Sequence, residues 1–110
     1  SRPAPNVLLV TLDTTRADHI GCYGFPLAQT PRLDRLAREG VRCANAVTAA
    51  PITLPSHSTI LTGLYPPAHG VRDNGTYALG DDAVTLAERL KAKGYRTQAV
   101  VSALVLNRRY

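Results

Sequence analysis

The hydrophobic pattern opens with Asn6-Val7-Leu8-Leu9-Val10-Thr11-Leu12-Asp13, a continuous apolar run closed by a carboxylate. A run without polar alternation is the pattern of a strand covered on both faces, as in a parallel sheet. Ligands of open α/β sheets gather beyond the carboxyl ends of such strands, which makes Asp13 the first acid to examine for chemistry. Residues 14–29, rich in Gly and polar side chains, read as loop or short turns. Thr30-Pro31 then supplies an N-cap and a proline at the first helical position, and Leu33, Leu36 and Ala37 give the helix one apolar face. Gly40 is expected to close it in the left-handed conformation, with a short strand over residues 41–47.

The second half repeats the alternation of helix and apolar run. A helix is predicted over residues 55–61, beginning just after Thr53 and ended by Gly63. Pro66-Pro67, Gly70, Asp73-Asn74-Gly75 and Gly80 make residues 64–80 mainly loop, with Asn74 a turn residue because Asn-Gly favours left-handed geometry. Asp81 or Asp82 can cap a third helix with Ala83, Leu86, Ala87 and Leu90 on its apolar face and Gly94 as its stop. Residues 95–106 read as a second buried strand and its sequel. The fold class is therefore α/β, a mostly parallel sheet flanked by helices. Two or three strands make a poor sheet, and a stop at Asn107-Arg108-Arg109-Tyr110 has no terminating logic, so residues 1–110 read as one incomplete domain.

Composition narrows this picture. Of 110 residues 45% are hydrophobic, yet the aromatics are five Tyr and one Phe with no Trp or Met, so a core must come from Leu, Val, Ile and Ala, which suits α/β layers. The net charge of +5 is spread along the chain, without a basic run or an aromatic stacking set. That argues against a nucleic-acid partner and stays compatible with an anionic small substrate. Cys22 and Cys43 lie far apart with no C-x-x-C spacing, leaving a disulfide or two buried thiols open and the compartment undecided. No apolar run approaches the roughly 20 residues of a membrane span, and Ser1-Arg2-Pro3-Ala4-Pro5 is not a signal peptide, although secretion stays open.

Asp13 and Thr53 both fall at the ends of apolar segments, where side chains converge above a sheet. A carboxylate and a hydroxyl are hard ligands suited to Ca²⁺, Mg²⁺ or Mn²⁺, or with added imidazoles to Zn²⁺. A metal on the Thr53 oxygen would favour the alkoxide, and the helix start would aim free backbone N–H groups at an anionic ester oxygen. The structural alternatives are that Asp13 caps the following turn and that Thr53 is an N-cap or N′ residue. His57 and His69 likewise suit a helix surface and a loop, and three histidines without H-x-H or H-E-x-x-H spacing are a weak metal signal. Arg16 and His19, in the loop after Asp13, face either substrate or solvent.

The order of residues 5–19, then Thr30-Pro31-Arg32-Leu33-Asp34-Arg35-Leu36-Ala37-Arg38-Glu39-Gly40-Val41, resembles the amino-terminal part of the sulfatase family. So do Thr53-Leu54-Pro55-Ser56-His57 with Leu61-Thr62-Gly63-Leu64-Tyr65-Pro66, His69-Gly70-Val71, and residues 90–97. The resemblance covers essentially the whole chain in the family's order. It implies an alkaline-phosphatase-like α/β fold and hydrolysis or transfer of sulfate, phosphate or phosphonate groups at a metal-bound nucleophile. Asp13 then resembles the first metal-binding aspartate and Thr53 occupies the nucleophile position, with His57 beside it as the second catalytic candidate.

The departures from the family pattern bear on substrate. Sulfatases carry C-x-P-S-R, whose cysteine is oxidised to formylglycine; this chain has T-x-P-S-H, and threonine cannot become that aldehyde. Thr14 stands where many members have a second aspartate, His57 replaces the arginine that holds the aldehyde hydrate, and Val101-Ser102-Ala103-Leu104 replaces G-K-W-H. Threonine nucleophiles occur in the superfamily among nucleotide pyrophosphatases and phosphotransferases acting on lipids or envelope polymers. The resemblance thus implies a divalent cation without formylglycine, a small-molecule or envelope or glycan ester as substrate, and a periplasmic or other extracytoplasmic location. A further Asp-His or Asp-Asn pair would complete the metal site from a later part of the domain.

Overall fold

A computed structural model describes residues 4–106, so residues 1–3 and the Asn107-Arg108-Arg109-Tyr110 stretch read above lie outside the described part. The chain divides into two compact units, one up to Ala46 and one from Val47.

In the first unit, helix α1 (Pro31–Glu39) follows two 3-10 turns, Ala17–His19 and Gly21–Tyr23. Pro31 occupies the first helical turn, Asp34 lies in that turn where the helix dipole favours an acid, and Arg35 pairs with Glu39 one turn on at 2.7 Å. Thr30 is the N-cap residue, but its hydroxyl does not cap its own helix. It accepts the Gly21 N–H at 2.9 Å and donates to Asp34 Oδ1 at 3.2 Å, and the same carboxylate oxygen accepts the Cys22 N–H at 2.7 Å. Two side chains of the α1 start thereby strap down the second 3-10 turn. A Cβ on Gly21 would stand 2.7 Å from Asp34 Oδ2, so any larger residue there displaces the carboxylate.

The Tyr23 hydroxyl donates to the Cys43 carbonyl at 2.9 Å, and the Arg42 guanidinium lies 5.0 Å from the Tyr23 ring centre. Residues 42–43 are drawn back onto the turn in this way. Gly40 departs from expectation: at φ −121° and ψ −145° it is not left-handed. Its constraint is steric instead, since a Cβ would meet the Leu36 carbonyl at 3.1 Å. Both cysteines are free thiols, Cys22 half-buried and Cys43 exposed, so neither a disulfide nor a pair of buried thiols is formed.

The second unit is organised on α2 (Thr53–Thr62), against which α3 (Pro66–His69), α4 (Leu86–Ala92) and a 3-10 turn at Leu104–Leu106 pack. Gly63 ends α2 at φ 75°, as expected. The segment expected to be loop contains α3, because Pro66 and Pro67 fall in the first turn, where a helix needs no N–H donors, and Gly70 stops it at φ 79°. The centre of this unit is small and largely polar: Val71 and Pro55 are fully buried, with His57, Ser58 and His69 around them. His69 Nδ1 accepts the Val71 N–H at 3.1 Å, which puts the ring proton on Nε2, facing Thr59 Oγ1 at 3.1 Å. Among the described residues no buried side-chain nitrogen or oxygen lacks a partner.

The expected sheet is not present among the described residues, which contain no strand. Leu8 is 87% exposed in the first apolar run, Val41 94% in the second and Val100 96% in the third. The reason is that a strand, unlike a helix, takes its hydrogen bonds from a neighbour, and a run apolar on both sides also needs a layer on each face. None of the three runs finds such a partner among the described residues. No helix among them is long and apolar enough to cross a membrane.

Neither Asp81 nor Asp82 caps α4; both lie in a turn closed by the Ala83 N–H to the Gly80 carbonyl at 3.1 Å. Thr85 is the N-cap, in a reciprocal capping box: its hydroxyl accepts the Glu88 N–H at 3.4 Å, while Glu88 Oε2 accepts the Thr85 N–H at 2.7 Å. The Thr85 backbone N–H, and then its hydroxyl, hold the Glu88 carboxyl below the usual range. Replacing Thr85 by Ala should cost about 1 kcal/mol in denaturant unfolding and speed amide exchange in the first turn of α4, whereas Thr85→Ser should retain most of the protection. Because the folded Glu88 pKa is depressed, its part of the box is in place above the ordinary pKa of 4.5 and is lost as pH falls through the lowered value.

Candidate active site

Thr53 is the first residue of α2, half-buried and one position inside the helix; Ile52, in extended conformation at φ −131°, is the N-cap. Isoleucine has no oxygen with which to cap, so acceptors for the first N–H groups must come from elsewhere. The Leu54 N–H donates to Asn74 Oδ1 at 2.8 Å across 20 residues of sequence, Pro55 has no N–H, and the Ser56 N–H reaches the Ile52 carbonyl at 3.2 Å. Leu54, Pro55 and Ser56 therefore offer no donor to an anion, which corrects the expectation of free amides at this helix start.

His57, one turn along, brings Nδ1 within 2.9 Å of the Thr53 carbonyl. A carbonyl only accepts, so Nδ1 carries the proton and the orientation of this buried ring is fixed by the residue it follows. Thr53 and His57 are thus brought together in the second unit, through the backbone of Thr53. Ser56 adds a hydroxyl contact to Thr48 at 3.0 Å.

Asn74 is the site-side residue that a turn reading of the sequence misses. Neither Asn74 nor Gly75 has a positive φ, so the left-handed turn expected there is not formed. Asp73 builds the turn instead: its Oδ1 accepts the Gly75 N–H at 2.9 Å and the Thr76 N–H at 2.6 Å. Those bonds, Thr76 first, hold the Asp73 carboxyl below its usual range. The signal available in the sequence was a helix starting after a residue that cannot cap it, with an Asp-Asn-Gly turn downstream to supply the acceptor.

Asp13, in the first unit, is exposed, and its Oδ1 accepts the N–H of Thr14 at 2.9 Å. Thr14 is the one residue other than glycine among those described with a positive φ, at 55°. A β-branched residue there is strained, by about 1–3 kcal/mol, and such strain gathers at functional positions. The Thr14 and Thr15 hydroxyls both bond the Asp13 carbonyl, at 2.8 and 3.4 Å. Further along, Asp18 takes the Arg16 guanidinium on both oxygens and the His19 Nδ1 at 3.0 Å, and the His19 ring lies 5.0 Å from that of Phe25. Arg16 and His19 thus share one carboxylate. Among the described residues no three His, Cys, Asp or Glu side chains are grouped so as to hold a metal ion.

The sequence profile of the family described as Sulfatase matches residues 5–108. The chain belongs to the sulfatase family. It is similar to the steryl-sulfatase of Mus musculus, 40% identical over 106 residues, a stretch covering 87% of this chain and 17% of that protein. It is also similar to an ulvan-active sulfatase of Formosa agariphila, 39% identical over 93 residues (84% and 18%), and to an N-acetylglucosamine-6-O-sulfatase of Bacteroides thetaiotaomicron, 34% identical over 96 residues (87% and 17%). This sulfatase-family chain therefore spans less than a fifth of the length of those relatives. No solved structure matches it.

The Asp18 cluster gives the sulfatase-family loop a measurable signature. Hydrogen bonds from Arg16, then from His19, hold the Asp18 carboxyl at about 2. An NMR titration should place its midpoint there, and Arg16→Gln should raise it toward the ordinary 3.8. The cluster is intact above 3.8 and is lost as pH falls through about 2; an unchanged midpoint in the variant would separate Arg16 from Asp18 in solution.

Proposed function

We propose that the chain is the amino-terminal part of the catalytic domain of a sulfatase-family hydrolase of sulfate or phosphate esters, with Thr53 as its nucleophile. The observation that carries the reading is Thr53 at the first position of α2, in the T-x-P-S-H that stands where sulfatases have C-x-P-S-R, its carbonyl held by His57. The Thr53 hydroxyl oxygen attacks the sulfur or phosphorus and loses its proton. The bond to the leaving alcohol breaks, and that alcohol departs with a proton. Water then attacks the Thr53 ester, releasing sulfate or phosphate and restoring the hydroxyl. Formylglycine plays no part, since the Cβ of Thr53 carries a methyl group and its oxidation would give a ketone in place of the aldehyde.

Asp13 is proposed as one ligand of a divalent cation, Ca²⁺, Mg²⁺, Mn²⁺ or Zn²⁺, that Thr53 also meets. Both are oxygen donors of the kind hard cations take, although the described residues do not complete a site. Such an ion would supply charge that favours the Thr53 alkoxide. His57 keeps the nucleophile's residue in its helical pose. The names of the relatives, which include a steryl-sulfatase and an N-acetylglucosamine-6-O-sulfatase, support a small-molecule or glycan ester as substrate, and the family resemblance of the motifs supports a periplasmic or other extracytoplasmic location. A second reading is favoured by the threonine itself: as in phosphotransferases of the superfamily, an acceptor alcohol would replace the water.

The isolated chain should turn over little or nothing; in the full-length protein that contains it, Thr53→Ala should lower turnover of 4-nitrophenyl sulfate or 4-nitrophenyl phosphate by about a thousandfold or more, with amide exchange in α2 unchanged. Thr53→Ser should keep measurable activity. A Thr53→Ala protein that turns over normally refutes the nucleophile assignment, and appearance of a transferred group on added glycerol in place of free anion would select the phosphotransferase reading.

A further inference from the structure

At the N-terminus of α2 the Leu54 N–H is held from outside the helix by a side chain that belongs to a turn with a support of its own. Ile52 cannot cap, Pro55 removes one donor, and the Leu54 N–H is taken by Asn74 Oδ1 at 2.8 Å. Leu54 follows Thr53 directly, so the bond fixes the peptide on the carboxyl side of the nucleophile's residue. His57 holds the carbonyl of that same peptide unit at 2.9 Å. The Thr53–Leu54 peptide is thereby gripped at both polar atoms, its N–H by Asn74 and its C=O by His57. A peptide so held has little freedom to rotate, and the Cα from which the Thr53 hydroxyl projects is held with it.

The grip depends on the position of residue 74. Asp73 Oδ1 closes the turn on the Gly75 and Thr76 N–H groups. Asn74 is half-buried, and Val71, three residues upstream, is wholly buried and bonded through its N–H to His69. The segment carrying Asn74 is thus anchored on one side by the small core of the unit and on the other by the Asp73 turn.

We infer that Asn74 is a positioning residue for the reaction: by accepting the Leu54 N–H it aligns Thr53 for attack, acting through the backbone of α2. The inference rests on the reading of Thr53 as nucleophile. It does not require Asn74 to touch the substrate.

The test compares Asn74→Leu, which keeps the volume but removes the acceptor, with Asn74→Asp, which restores an acceptor oxygen. Kinetics of the full-length enzyme on 4-nitrophenyl sulfate or 4-nitrophenyl phosphate are read beside amide exchange in the same ¹⁵N-leucine-labelled protein. In Asn74→Leu the Leu54 amide should exchange about tenfold faster and kcat should fall about tenfold, with KM within about twofold. Asn74→Asp should recover the Leu54 protection and most of kcat. Asp73→Ala, which loosens the turn and leaves Asn74 in place, should shift both readouts the same way by a smaller factor, and serves if Asn74→Leu does not fold. Unchanged Leu54 exchange in Asn74→Leu, or changed exchange with unchanged kcat, overturns the inference. Failure of the underlying reading looks different: Thr53→Ala stays active while Leu54 exchange still responds to Asn74, and the positioning role falls with the nucleophile.

Discussion

The second unit depends on one hydrogen bond between residues distant in sequence, from the Leu54 N–H to the Asn74 carboxamide at 2.8 Å. Every other element of that unit packs on α2, and α2 begins without a capping side chain, with a proline at its third position. An uncapped start frays, and a frayed start would release the residues proposed to carry the chemistry, Thr53 and His57. Asn74 supplies the acceptor, Asp73 sets the turn that delivers it, and His57 holds the same peptide from its carbonyl. The peptide that follows the nucleophile candidate is consequently held at both its N–H and its C=O in an otherwise lightly built unit.

Both units keep their shape mainly through polar side chains bonded to backbone N–H and C=O groups. Thr30 and Asp34 strap a 3-10 turn, Asp13 closes on Thr14, and Thr85 and Glu88 cap each other's N–H groups. Among the described residues Val71 is the one buried hydrophobic residue, so little apolar burial supports these bonds. Hydrogen bonds of this kind contribute about 1 kcal/mol each, and they select a local geometry more than they drive compaction. The apolar runs represented by Leu8, Val41 and Val100 stay at the surface. An α/β architecture, to which membership of the sulfatase family points, would bury such runs as covered strands.

Legibility in the sequence followed the range of the physical signal. Three helices were visible because their signals are local: Pro31 after Thr30, Gly63 after Thr62, and the apolar spacing of Leu86, Ala87 and Leu90. Details that depend on side-chain partners were less legible. Thr30 is the N-cap as read, but its hydroxyl serves Gly21, nine residues away, and Gly40 answers to the Leu36 carbonyl one turn back in place of a left-handed turn. Pro66-Pro67 looked like a breaker and proved a helix start. The apolar runs read as strands to be buried, yet the described residues contain no strand: pairing is a property of two segments, which no single run encodes. At the candidate site, Thr53 and His57 are named by the resemblance of their motif; Asn74 has only the indirect signal of a helix start that cannot cap itself, because its bond comes from the return of the chain onto α2.

The central claim is that the oxygen of Thr53 forms a covalent bond to the transferred group. The most direct measurement is an acid quench of the enzyme during turnover of 4-nitrophenyl sulfate or 4-nitrophenyl phosphate, followed by mass spectrometry of the peptide that contains residue 53. The account predicts the mass increment of one sulfo or phospho group on Thr53, absent without substrate. An increment on another residue, with Thr53 unmodified, would contradict it.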